Sequence, residues 1–231
     1  MDVDRIEEVD FVWTNGSVAD AVPSDLHGTF DAFIASHVIE HTTDLVGFLA
    51  AAATLLAPSG VAIFAIPDKR YCFDYFRPLT TTGEVLYAHT TGRTRHTRRI
   101  LFDQMAYIVK NGGAGAWGQT PMQEIQFYSS LEEASDAFST TREDPDSPYV
   151  DMHAWQFTPA SFELLLLELA RLGKTDWQVE RITPPTGCEF YVWLRRGGKA
   201  AAAALTVAEV DARRLALLGA FGHSGVSRSR C

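Results

Sequence analysis

The sequence predicts an α/β domain: a mostly parallel sheet covered by helices in a three-layer sandwich, closed by an antiparallel hairpin near the C-terminus. The first observation is a compact apolar run at 31–36 (DAFIAS), followed by Leu45, Phe48, Leu49, Ala52 and Leu56 at helical spacing and a second apolar run at 61–66 (VAIFAI). Strand, helix and strand with short joints make a βαβ unit, and such units build parallel sheets. The second is a pair of strand-like segments at 177–182 and 189–195, whose turn-rich joint is short enough for a hairpin. The third is size: 231 residues, 46% hydrophobic and 21% charged, suffice for one buried core.

Taken in order, 9–13 (VDFVW) reads as a short strand closed by Thr14-Asn15-Gly16. The run at 31–36 is apolar enough for a strand buried on both faces. The helix from Leu45 is stopped by Pro58-Ser59-Gly60, and the strand at 61–66 ends at Pro67. Residues 68–157 are less regular and read as an insertion, with a helix at 100–110 ending at Asn111-Gly112-Gly113. A well-marked helix at 159–172 follows, with Thr158 as N-cap, Pro159 in the first turn and Phe162, Leu165, Leu166 and Leu169 on one face. Residues 200–218 are expected to form one further helix, and 222–231 a frayed tail. One domain over 1–196 and a C-terminal appendage over 197–231 result.

The charge sum, 20 − 29 = −9, with a pI near 5.2, excludes a whole-protein footprint for nucleic acid or an anionic membrane. Cys72, Cys188 and Cys231 are far apart without a CxxC pair, which fits a reducing compartment. The start, MDVDRIEEVD, is acidic and unlike a secretory leader. The longest apolar stretch, 45–53, is far short of the roughly 18 residues of a membrane span. A cytoplasmic protein is expected.

The most suggestive string is Ser36-His37-Val38-Ile39-Glu40-His41, placed where a parallel strand ends and a helix begins. In open α/β sheets, ligands bind outside the carboxyl ends of strands. Residues 30–71, with SHVIEH and the Pro67-Asp68-Lys69-Arg70 string, resemble the fourth strand, following helix and fifth strand of class I S-adenosylmethionine-dependent methyltransferases, in particular a bacterial type 11-like subgroup. Asp151-Met152-His153-Ala154-Trp155, the helix at 159–172 and the closing hairpin fit that subgroup too, so the resemblance extends to Arg196.

It implies a Rossmann-like sandwich using S-adenosyl-L-methionine to methylate a small-molecule or saccharide-linked acceptor. His37 and His41 are then candidate bases, with Glu40 beside them as a third catalytic candidate. Ser36 and His37 would border the methionine end of the cofactor, and Asn15 would approach its adenine. Asp68, Arg70 and His153 would orient the acceptor, the first two as a carboxylate and a guanidinium fork. Holding nucleophile and methyl in line supplies up to about 7–11 kcal/mol in well-oriented systems.

One departure matters. The family binds its cofactor through a Gly-rich turn after strand one and an acidic residue ending strand two, and neither precedes Asp31. An N-terminally truncated sheet is expected, with an exposed edge that a homodimer or partner chain would cover. The alternative reading is a non-catalytic, methyltransferase-like binding or accessory protein.

Other patterns have plainer readings. Gly113-Ala114-Gly115-Ala116-Trp117-Gly118 fits G-x-G-x-x-G, but the helix expected at 100–110 precedes it, so a flexible joint is expected. His37-x-x-Glu40-His41 matches the inverted zincin pattern. With His37 at a strand end and no evident third ligand, no metal is expected. Asp68-Lys69-Arg70 could instead form a local ion pair with Asp74 or the acidic segment. Arg93, Arg95, Arg98 and Arg99 could receive an anion, or pair with the seven acids of 132–151. Tyr71, Phe73, Tyr75 and Phe76 could wall an acceptor or belong to the core.

Overall fold

A computed structural model describes residues 8–144 and 149–221. The βαβ unit is present: β1 (Phe30–Ser36), α1 (Leu45–Leu55) and β2 (Leu56–Pro67). The two strands run parallel, with Phe33 opposite Ala62, Ile34 opposite Ile63 and Ala35 opposite Phe64. Asp44 caps α1 by accepting from the Gly47 amide at 3.0 Å, and Leu45, Leu49 and Ala52 are buried at helical spacing. Pro58-Ser59-Gly60 does not separate helix from strand. β2 starts at Leu56, and its pairing with β1 shifts register between Phe30 and Ala32, so the exposed Pro58 and Ser59 sit where the ladder is irregular.

The rest of the sheet corrects the expected topology. β5 (Trp177–Ile182) and β6 (Glu189–Arg196) form the expected hairpin, and β6 also pairs antiparallel with β2, giving the order β1-β2-β6-β5. Only the β1–β2 pairing is parallel, so the sheet is not mostly parallel: β6 pairs antiparallel with both of its neighbours, and the insertion carries the chain from β2 across to β5. Residues 9–13 form no strand. They run exposed, with the Trp13 ring 6.4 Å from Phe48 of α1. Without a ladder partner, their backbone groups are satisfied outside any sheet.

β1 is therefore an edge strand, and the expected burial on both its faces fails; Ile34 is 71% exposed. The core lies on the other face of the sheet. Ala62, Phe64 and Ile66 of β2 and Phe190, Val192 and Leu194 of β6 pack against α1 and against α5 (Pro159–Arg171) through Phe162, Leu165, Leu166 and Leu169. The Trp177 indole donates to the Leu49 carbonyl at 2.8 Å, locking β5 to α1. On the opposite face Val61, Ile63, Tyr191 and Trp193 are only half-buried. Among the described residues, the third layer of a sandwich is not found.

The insertion carries α2 (Thr82–Thr90), α3 (Arg98–Tyr107), the short hairpin of β3 (Val109–Asn111) and β4 (Ile125–Phe127), and α4 (Leu131–Thr140). The helix expected to reach 110 ends at Tyr107 because Val109–Asn111 pairs with β4. The expected single C-terminal helix is two, α6 (Gly198–Ala204) and α7 (Val207–Phe221). Thr206 and Glu209 form a reciprocal capping box that starts a new helix. Arg171 closes the end of α6 by donating to the carbonyls of Ala202 and Leu205. The expected frayed tail at 222–231 lies outside the described residues, as does Cys231. No helix of the described residues is long and apolar enough to cross a membrane.

Candidate functional site

The carboxyl end of β1 is a sharp turn. The His37 amide still donates to Ala65 at 3.1 Å, extending the ladder by one residue, and His37 then adopts φ 52°, the left-handed region. For a residue with a Cβ this costs about 1–2 kcal/mol. The turn feeds a single 3-10 turn, Ile39–His41. His37 is thus neither in a helix nor in register with His41 on one.

Three imidazoles surround the Glu40 carboxylate. Glu40 is 1% exposed, and neither of its oxygens accepts a hydrogen bond. His37 Nδ1 stands 3.5 Å from Glu40 Oε1, and His41 Nε2 stands 3.8 Å from the same oxygen. The His153 ring meets that of His41 edge to face, centroids 4.6 Å apart. Burial pushes the Glu40 carboxyl up from its ordinary value, opposed by its own backbone amide and by His153, His41 and His37 in turn.

Each imidazole has one nitrogen engaged by a further carboxylate. His37 Nε2 lies 2.5 Å from Glu189 Oε2, His41 Nδ1 lies 2.9 Å from Asp151 Oδ1, and His153 Nδ1 lies 2.5 Å from Asp74 Oδ2. The other oxygen of Glu189 accepts from the Tyr191 hydroxyl. Burial pushes the Glu189 carboxyl up, but the hydrogen bonds from Tyr191 and His37 outweigh it, and the net shift is downward.

Backbone contacts bring His153 here from far along the chain. The Glu40 carbonyl accepts from the Ala154 amide at 2.7 Å, and the Trp155 indole donates to the Thr42 carbonyl at 2.7 Å. The His153 amide donates to Gln104, its carbonyl accepts from Arg77, and Phe73 lies against its ring at 4.8 Å. Phe73 alone of the four aromatics thus borders the cluster; Tyr75 stacks with Phe76 and Trp117, and Phe76 faces Phe127.

The end of β2 lies on the same rim, since the Asp68 amide donates to the Cys188 carbonyl next to Glu189. Asp68 is fully buried and holds the Arg70 fork, Nε at 2.8 Å and Nη2 at 2.5 Å, while also capping the Lys69–Tyr71 turn through the Arg70 amide. The local pairing is within this triplet. Asp74 serves Arg77 and His153 instead. Lys69 donates to the Tyr75 carbonyl at 2.6 Å, and burial lowers its pKa.

The remaining candidates lie apart. Ser36 is exposed at the end of β1, and Asn15 is exposed in the bend that follows Trp13. Among the described residues, no hydrogen bond or ion pair joins either to the histidine cluster. The glycine string connects β3 to β4 and is not delivered by a strand to a helix. A Cβ on Gly118, at φ 55°, would stand 3.1 Å from the Gly187 backbone. Arg93 stacks on Trp155 and donates to the Thr43 carbonyl, whereas Arg99 pairs with Asp103 and Glu84 rather than with the acids of 132–151.

Sequence reasoning missed Glu189, Tyr191 and the partnership of Asp74 with His153. Asp151 could have been found, because it stands two residues before His153 in a string already noticed. No sequence signal links His37 to a carboxylate 152 residues away.

No family model matches the chain, and no curated protein is similar to it in sequence. Among solved structures it is similar to a putative Zn-dependent alcohol dehydrogenase from Rhodobacter sphaeroides, with 13% identity over 84% of this chain and 67% of that one, at a TM-score of 0.41. It is also similar to the trans-methyltransferase CalH in complex with SAH, with 16% identity over 74% of this chain and 31% of that one, at a TM-score of 0.30. At these scores neither likeness bears on function.

Proposed function

We propose that this chain is a methyltransferase-type domain whose described residues build the acceptor side of an S-adenosylmethionine-dependent site. The observation that carries the reading is the convergence of His37, Glu40, His41 and His153 at the carboxyl ends of β1 and β2, the one parallel pair. That unit is also the segment whose sequence resembles the family. S-adenosyl-L-methionine, when bound, supplies the methyl group. By the resemblance Ser36 and His37 would border its methionine end, whereas Asn15 is not joined to them among the described residues.

The chain's own chemistry is acceptor activation. An oxygen or nitrogen acceptor needs a base of near-neutral pKa, and imidazole suits that role. His37 is 42% exposed and is oriented by Glu189 through Nε2, leaving Nδ1 to take a proton beside the Glu40 carboxylate. His41 and Asp151 line the same open side, and this polar rim suits a hydroxylated small molecule or a saccharide-linked acceptor. Asp68 and Arg70 border the rim as a closed pair, so they shape it rather than offer a free fork.

A second reading is a methyltransferase-like binding or accessory protein without turnover. Calorimetry with S-adenosylhomocysteine separates the two. Saturable heat supports the enzyme, and its absence at high concentration leaves the binding protein. If turnover is found, His37→Gln should lower it about 10²–10⁴-fold.

A further inference from the structure

We infer that Glu40, His41 and His153 form a binding site for a divalent first-row transition-metal ion, with open coordination positions toward the rim. The inference does not rest on the methyltransferase reading. Each residue offers one ligand atom, and the three atoms lie within 4.8 Å of one another.

The spacing around Glu40 suits an ion better than a hydrogen bond. A protonated carboxyl shared with an imidazole would stand about 2.6–3.2 Å from a ring nitrogen, yet the nearest nitrogens on His37 and His41 are at 3.5 and 3.8 Å. Ligands at about 2.0–2.2 Å from a tetrahedral zinc ion are about 3.4 Å apart. The gap from His41 to Glu40 is close to that separation, and a small inward turn of the partly exposed His41 ring closes the rest. A buried carboxylate with neither oxygen hydrogen-bonded is costly, and an ion supplies the missing partner.

The surroundings orient the two imidazoles as metal ligands are oriented. Asp151 engages His41 Nδ1 and Asp74 engages His153 Nδ1, which fixes the tautomers and leaves Nε2 of each ring as the donor. The scaffold is rigid: the Ala154 amide ties the His153 segment to the Glu40 carbonyl, and Gln104 and Arg77 hold the His153 backbone. Two imidazoles and one carboxylate suit zinc or another late first-row ion, and are poorly suited to magnesium or calcium, which take oxygen ligands. The set differs from the inverted zincin pattern in the sequence. His37 is committed to Glu189, and His153, from the insertion, takes its place.

The test uses the full chain, stripped with a chelator and titrated with Zn²⁺ by calorimetry and with Co²⁺ by visible absorption. The expected result is one ion per chain, with d–d bands on cobalt loading and no uptake of Mg²⁺. His41→Ala and His153→Ala should each abolish stoichiometric binding. Asp151→Asn, on the exposed side, should weaken it about 10–100-fold, and His89→Ala, which pairs with Asp44 elsewhere, should not change it. Circular dichroism checks each variant's fold. If the buried His153 variant fails to fold, His41→Ala and Asp151→Asn still decide. Wild-type protein that takes up no Zn²⁺ or Co²⁺, or uptake that survives His41→Ala, would overturn the inference.

Discussion

A buried carboxylate lacking a hydrogen-bond partner costs about 1–3 kcal/mol or more, and Glu40 is such a group. In chelator-stripped protein, Glu40→Gln keeps the shape and removes the charge. It should therefore raise the thermal midpoint by a few degrees, as read by calorimetry, in the range that about 1 kcal/mol produces for a domain of this size. His96 gives a pH signature. Burial, helped by Arg93, lowers its pKa to about 4, and its ring bonds the Tyr149 hydroxyl at 3.0 Å. A depressed folded-state value means that the unfolded chain binds the proton first. The contribution to stability is thus complete above the ordinary imidazole value of 6.5 and is lost as pH falls toward 4. The whole drop corresponds to about 3 kcal/mol. Denaturant titrations between these limits should show wild type losing more stability than His96→Leu. An equal loss in the two would remove His96 as the cause.

The elements are held by caps and by packing, and the two differ in size. α5 starts with Thr158, whose hydroxyl accepts from the Ser161 amide while Ser161 returns the bond, and it buries Phe162 edge-on against Phe157 at 5.2 Å. Thr158→Ala should cost about 1 kcal/mol and Phe162→Ala about 3–5 kcal/mol, measured by urea denaturation with unchanged slope. α5 was legible because cap, proline and apolar stripe lie within one stretch of chain. The break between α6 and α7 was equally local, written in Thr206-x-x-Glu209, but the alanine run at 200–204 masked it. The 9–13 segment misled because β-branched and aromatic residues satisfy a strand's composition without supplying a neighbour to pair with.

At the scale of the molecule, the sheet among the described residues has an unpaired edge at β1 and an apolar face left half-open by Ile34, Ile63 and Trp193. Such edges template association. Light scattering should show assembly growing with protein concentration, through a second copy seated on β1. Ile34→Lys, which sets a charge on the open surface without touching the core, should return the chain to monomer. A wild type that stays monomeric at high concentration would mean that the edge is protected.

The sequence by itself determined the α/β class, the β1–α1–β2 unit, the closing hairpin and the placing of His37, Glu40 and His41 at a strand end. These follow from periodicity and turn chemistry acting within a few residues. Only the tertiary structure decided which way β6 runs beside β2, that one face of the sheet lacks a layer among the described residues, and that His153, Asp74 and Glu189 join the histidines of the β1 turn in one cluster. Those contacts join residues 79 to 152 positions apart, and no local pattern encodes them. They exist because a shared core on one face of the sheet brings the ends of β2, β6 and the insertion to the same rim.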